Sequence, residues 1–247
     1  MTIYNRYLLG QEKQVYQDIY ALGQDAFVPD NFLHIEKVLI QTFQRVSYNL
    51  EIIYSELKSI DYLFISKFEY NFQQPLIKPL ANTEKLLTKL ENAVQPFGFL
   101  PLSLKMFYRI VGACNFGWDY ITNKNYLWQF ADPIQIVSLD DLVEEVTNED
   151  YLNELKDCYE LDGFVSLELS ADYFHKDNTS GGAPYSLKLT EIESIDGQFL
   201  NEEHDTTFIN YLRICLYNCG FSRITNPINK NDYHSFFAKV KPQLKPI

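Results

Sequence analysis

Apolar residues recur along this chain with two different periods, and the points where the period changes divide it into elements. Val15, Ile19 and Leu22 are spaced by four and three, which predicts a helix over residues 11–22. Gly23 and Pro29 break that pattern, and Asp30 or Asn31 then offers a side-chain cap for a longer helix. Phe32, Ile35, Leu39, Thr42, Phe43, Val46, Leu50, Ile53 and Leu57 form its stripe, the longest periodic run in the sequence. Its length predicts a helical partner or a lid over a sheet. Residues 60–73 switch to period two. Tyr62, Phe64, Phe68, Tyr70 and Phe72 alternate with Leu63, Ile65, Lys67, Glu69 and Asn71, which predicts a strand. Pro75 and Pro79 end it as a stiff connector. The chain divides there into an N-terminal helical extension, residues 1–60, and a domain over 61–247.

Helical spacing returns with Leu86, Leu87, Leu90 and Val94 behind a cap at Asn82 or Thr83. Pro96 and Gly98 turn the chain into the stretch 97–116. Pro101 suits the first turn of a helix, where its missing N–H costs nothing. Leu104, Phe107, Tyr108 and Val111 then fall at i, i+3, i+4 and i+7, and Gly112 stops the helix. These four side chains are the expected core. Residues 115–125 read as a loop, and 126–130 and 134–137 as short strands around Asp132-Pro133. Leu139, Leu142, Val143 and Val146 are helical again. Strands follow at 164–169 and 185–189, on either side of a turn-rich loop from Asp172 to Tyr185. Residues 192–203 read mostly as loop. Phe208, Tyr211, Leu212, Cys215, Leu216 and Cys219 form a last helix, stopped by Gly220. Beyond Pro227 there is a short aromatic patch, Tyr233, Phe236 and Phe237.

Composition sharpens this outline. Of 247 residues, 46% are hydrophobic, and 18 Tyr with 18 Phe mean a core built largely from rings. The formal net charge of -12 argues against binding nucleic acid or an anionic membrane directly, and favours either a basic partner or plain solubility. Most of that charge sits in one place. Residues 139–162 hold Asp140, Asp141, Glu144, Glu145, Glu149, Asp150, Glu154, Asp157, Glu160 and Asp162 against Lys156 alone, a net of -9. No leading apolar region and no membrane-length run is present, so the expected compartment is the cytoplasm, with Cys114, Cys158, Cys215 and Cys219 reduced. Cys215 and Cys219 are four apart without a histidine at ligand spacing, which favours structural thiols over a metal.

The loop from Asp172 to Tyr185 is the one stretch with catalytic-looking side chains. His175 could serve as base, Ser180 as nucleophile, and Asp172 or Asp177 as orienter. The Gly-x-Ser-x-Gly elbow is missing, so Asx and Ser turns are the favoured reading. Asp172, His175, Asp177 and His204, near Glu202 and Glu203, are metal-capable residues without a ligand motif. No catalytic residue, metal or cofactor is therefore assigned. The acids Asp140, Asp141, Glu144, Glu145, Glu149, Asp150 and Glu154 are the candidate partner-binding surface, because a basic partner gains on-rate and specificity from a matching acidic face.

Several blocks also carry a resemblance. Leu100-Pro101, then Phe107-Tyr108, then Gly112 resembles the signature of the SUKH superfamily, which holds bacterial immunity proteins of polymorphic toxin systems and eukaryotic regulatory relatives. Asp132-Pro133 ahead of Ile134, Phe208-x-x-Tyr211-Leu212-Arg213, and the motif loop look like a bacterial branch of it. The loop is the most specific block, with Asp172, His175, Lys176, Asp177, Asn178, Ser180, Gly181, Gly182 and Tyr185. The resemblance runs from about Tyr62 to Phe221, and Cys219-Gly220 departs from the double glycine expected there. It implies an α+β fold with a mostly antiparallel sheet packed against helices, and a non-enzymatic role in binding a cognate protein toxin. A nuclease toxin would present the basic groove that an acidic surface fits. The alternatives are a regulatory interaction scaffold without a toxin, and a hydrolase working through the His175 loop.

Overall fold

In the computed structural model, which describes residues 1–68, 71–72, 74–124, 127–179, 181–224 and 230–247, three helices precede any strand. They are α1 (Ile3–Leu8), α2 (Glu12–Ala21) and α3 (Pro29–Ser59). α1 was not visible as a pattern, because six residues are too few to display a period. Pro29 begins α3 instead of breaking the chain before it. The ring occupies the first turn and Val28 is the cap residue, so neither Asp30 nor Asn31 caps this helix. Ile35, Leu39, Thr42, Phe43, Val46, Leu50, Ile53 and Leu57 are buried along α3, and Phe32 is half-buried.

The period-two run is not one strand. β1 (Lys67–Phe68) and β2 (Asn71–Phe72) pair antiparallel, Lys67 opposite Phe72, so the alternation continues through a reversal. Tyr70 and Glu69 lie outside the described residues. The predicted connector holds β3 (Leu76–Ile77), which pairs with β4 (Ala113–Asn115), itself paired with β5 (Gln135–Ile136). β3 is an edge strand, where prolines can flank without removing a ladder bond. The strand expected over 126–130 is absent from 127–130, and Tyr126 lies outside the described residues. A second antiparallel sheet runs in the order β6 (Ser166–Ser170), β7 (Tyr185–Lys188), β8 (Gln198–Leu200), β9 (Thr206–Thr207). β8 therefore lies inside the segment expected to be loop. The fold is α+β, with antiparallel sheets of three and four strands packed against helices beside the two-stranded β1–β2 pair.

The remaining helices are α4 (Thr83–Val94), α5 (Leu102–Ile110), α6 (Leu139–Val146), α7 (Glu149–Asp162), α8 (Tyr173–Lys176), α9 (Phe208–Tyr217) and α10 (Lys230–Val240). Leu104, Phe107, Tyr108 and Val111 of the α5 region are buried as expected. The Phe107 ring meets Phe43 of α3 edge-on at 6.3 Å and Phe208 of α9 at 5.6 Å, so α5 is wedged between the two. Gly112 follows at φ +97°, and a Cβ there would come within 2.0 Å of the Ile77 carbonyl oxygen. One loop closes the starts of two helices. The Ser194 and Ile195 carbonyls accept from Leu102 and Ser103 at 2.9 Å each, and Asp196 accepts from the Ile209 N–H of α9 and the Ser103 hydroxyl.

α9 ends at Tyr217, two residues earlier than the stripe suggested. Left-handed Cys219 (φ 55°) and Gly220 (φ 104°) then redirect the chain. The aromatic patch is the buried side of α10, where Tyr233 and Phe236 pack on Trp128 and Phe221. Pro227 lies outside the described residues. Among the described residues, no helix is long and apolar enough to cross a membrane.

Candidate functional site

Two features stand out around the second sheet, the motif loop and the acidic helix pair. In the loop, Asp172 follows β6 by two residues and caps α8. Its Oδ1 accepts from the Phe174 N–H at 2.8 Å and the His175 N–H at 3.3 Å, and its Oδ2 lies 3.0 Å from His175 Nδ1. Burial alone would raise this carboxyl, but hydrogen bonds from His175 and the Phe174 and Gly182 amides outweigh it and hold the group below the usual range. Gly181 closes over the pair. A Cβ there would lie 2.0 Å from His175 Nδ1 and 2.3 Å from Asp172 Oδ2. Asn178 takes the left-handed turn at φ 56°, which Asn tolerates better than most residues.

Lys176 and Asp177 point inward. Lys176 Nζ donates to Asp132 Oδ1 at 2.6 Å, with both side chains 2% exposed, and sits 4.6 Å from the Tyr185 ring centroid. Tyr185 donates to Asp132 Oδ2 at 2.9 Å, and Ser222 donates to the same oxygen. Asp177 accepts from the Tyr120 hydroxyl and the Phe130 N–H at 2.7 Å each. Burial pushes the Asp177 carboxyl up against those bonds. The loop thus fastens β6 and β7 to the Asp132 turn and to the start of the α9–α10 connection. Ser180 lies outside the described residues.

The six metal-capable residues do not converge. His204 pairs with Glu202 at 2.8 Å and His175 with Asp172 at 3.0 Å, and among the described residues no group of three or more His, Cys, Asp or Glu could hold a metal. Three thiols are sealed. Burial pushes Cys114 and Cys219 up to about 12 and Cys215 well above its ordinary value, while Cys158 of α7 is half-buried.

The acidic stretch is two helices, not one. Ser138 Oγ accepts from the Asp141 N–H and starts α6, Asn148 Oδ1 accepts from Asp150 and starts α7, and Gly163 at φ 75° ends it. α6 buries Leu139, Leu142, Val143 and Val146, whereas α7 buries Leu155 alone. Asp140, Asp141, Glu144, Glu145, Glu149, Asp150, Glu154, Asp157, Glu160 and Asp162 are all exposed. Several acids elsewhere are matched: Glu51 with Lys78, Glu84 with Arg109, Glu91 with Lys105, Glu56 with Lys239. None of the ten forms an ion pair with a described residue. Glu145 faces Glu168 of β6 across a trough. Partial burial raises both carboxyls, helped by repulsion from Glu154 and Asp141 at Glu145 and from Glu145 and Glu154 at Glu168. Tyr159 and Leu161 of α7 are exposed beside these charges, Leu161 at 84%.

Sequence reasoning found the loop and the acids but missed Asp132 as the centre of the buried network. The Asp-Pro dipeptide was its only trace. Comparison with protein-family models, curated proteins and solved structures finds no match. Chemically, the loop offers an oriented imidazole, and the α6–α7 face offers unneutralised negative charge with apolar side chains among it.

Proposed function

We propose that this chain is a protein-binding module that docks the α6–α7 face on a basic partner, in the manner of a SUKH-type immunity protein neutralising a toxin. One observation supports this reading above the others. Ten exposed acids fall within 24 residues without a described cation among their partners, whereas elsewhere on the surface several acids, Glu51, Glu56, Glu84 and Glu91 among them, are paired. Leaving such charge unpaired costs a little stability through self-repulsion, a cost that a partner's lysines and arginines would remove. A nuclease toxin, whose active groove must be basic to hold phosphates, has the complementary surface. Exposed Tyr159 and Leu161 supply apolar contact within the charged field. Four cysteines without a disulfide fit a partner met in the cytoplasm.

Electrostatic docking has a kinetic signature. With a basic partner in hand, stopped-flow association should slow steeply as salt rises, because the screening length is about 10 Å at 0.1 M. Reversal of Glu144, Glu145, Glu149 and Asp150 to Lys should slow association about 10-fold or more at low salt, with dissociation changing less. Reversal of Glu36 and Glu191, exposed acids on other surfaces, is the control. Equal effects from both sets would reduce the face to a solubility device.

A further inference from the structure

Where α3 passes α9, residues 244–247 lie in a trough and are held by side chains of both helices. Asn49, fully buried on α3, reads main chain in both directions. Its Nδ2 donates to the Lys245 carbonyl at 2.7 Å and its Oδ1 accepts from the Lys245 N–H at 2.8 Å. Arg45 Nη1 donates to the Pro246 carbonyl at 2.7 Å, and Arg213 Nε donates to the Ile247 carbonyl at 2.9 Å. Three side chains therefore satisfy four main-chain groups within three consecutive residues, much as a neighbouring strand would.

The two arginines are fixed independently of the segment. Arg45 pairs with Glu12 at 2.7 Å and lies 4.7 Å from the Tyr7 ring centroid. Arg213 lies 4.3 Å from the Tyr16 ring centroid and donates to Asn210 at 2.6 Å. Tyr7 and Tyr16 are themselves tied through Thr42, at 2.9 and 2.8 Å. Helices α1 and α2 thus hold the two guanidinium groups in place, and little side-chain freedom remains to be lost on binding.

The segment uses the site incompletely. Ile247 is buried and Leu244 half-buried, whereas Lys245 and Pro246 are exposed, Lys245 with its Nζ 3.8 Å from the Tyr48 ring centroid. A cavity of about 470 Å³ runs beside it, walled by Ile214, Leu216 and Tyr217. Arg213, which lines that cavity, keeps Nη2 buried without a hydrogen-bond partner.

We propose that this trough is a peptide-reading site, held by residues 244–247 of the same chain and able to take an extended segment of the pattern apolar–basic–proline–apolar from another polypeptide. The main-chain readers set the register, Tyr48 favours the basic residue, and the Ile247 pocket takes the last apolar side chain. The proposal stands apart from the acidic face of α6 and α7. The resident segment competes at the high effective concentration of a tethered ligand, so a free peptide should bind the native chain weakly.

The test uses a fluorescein-labelled peptide, Pro-Gln-Leu-Lys-Pro-Ile, and the full-length chain. Ile247→Asp should loosen the resident segment, and anisotropy titration should show the peptide binding at least about 10-fold tighter than to the native chain. Adding Asn49→Ala should abolish the gain. Failure of the folded Ile247→Asp chain to bind, or equal binding with and without Asn49, overturns the proposal. If Ile247→Asp does not fold, amide exchange on the native chain decides. Excess peptide should accelerate exchange at the Lys245 amide by displacing it, and an unchanged rate there overturns the proposal.

Discussion

A carboxylate buried as deeply as Asp132 must be matched on both oxygens, and Lys176, Tyr185 and Ser222 do so. Asp132→Ala would strand the Lys176 ammonium in the core. We expect a loss of about 3–5 kcal/mol, read from urea denaturation, and a loss under about 1 kcal/mol would mean that water reaches the lysine. The motif run was legible in the sequence, but its purpose was not. Lys176 lies 44 residues from Asp132, and no local pattern links an inward lysine to so distant an acid. Protonation predicts two opposite trends. Asp172 has a lowered folded-state carboxyl pKa, so its contribution is complete above the unfolded value of about 3.9 and is lost as pH falls through the folded one. Glu145 and Glu168 have raised values, so their charge opposes folding at neutral pH and the opposition fades as pH falls through them. Glu168→Gln should therefore stabilise by up to about 0.5 kcal/mol at pH 7, after allowance for solvent screening, and by nothing at pH 3. Asp172→Asn should show the reverse sign at pH 7. Melting curves across this range check both, and a Glu168→Gln gain that persists at pH 3 would rule out charge as its source.

Length decides which elements a sequence reveals. The stripe of α3 and the core face of α5 were plain because several turns repeat one spacing. β3, β4, β8 and β9 span two or three residues each, too short for any period, and are fixed by partners far along the chain. α6 and α7 differ in anchorage. With Leu155 as its one buried residue, α7 should open without the rest of the molecule. In hydrogen exchange, Leu155→Ala should strip protection from α7 while α5 keeps its own. Phe107→Ala, by contrast, should cost about 3–5 kcal/mol and lower protection everywhere, since that ring joins α3, α5 and α9. Uniform loss from both variants would show that α7 is not a separate unit.

Across the whole molecule, the long helix, both sheets and α10 share one body of buried side chains. The general class was readable from alternating helical and strand-like runs. The way α10 closes over Trp128 was not, because the rings that meet there come from three distant segments. Burial of the core leaves one of the four thiols within reach of solvent. Cys114, Cys215 and Cys219 are buried, whereas Cys158 sits half-buried on α7, within the acidic face. A thiol reagent should consume about one equivalent on the native chain and four in denaturant, because reaction requires an accessible thiolate. An environment-sensitive dye attached at that one position would glow or dim as a partner settles on the helix, making the protein its own optical reporter of docking. Rapid uptake of two or more equivalents without denaturant would show instead that the buried thiols breathe open on the labelling timescale.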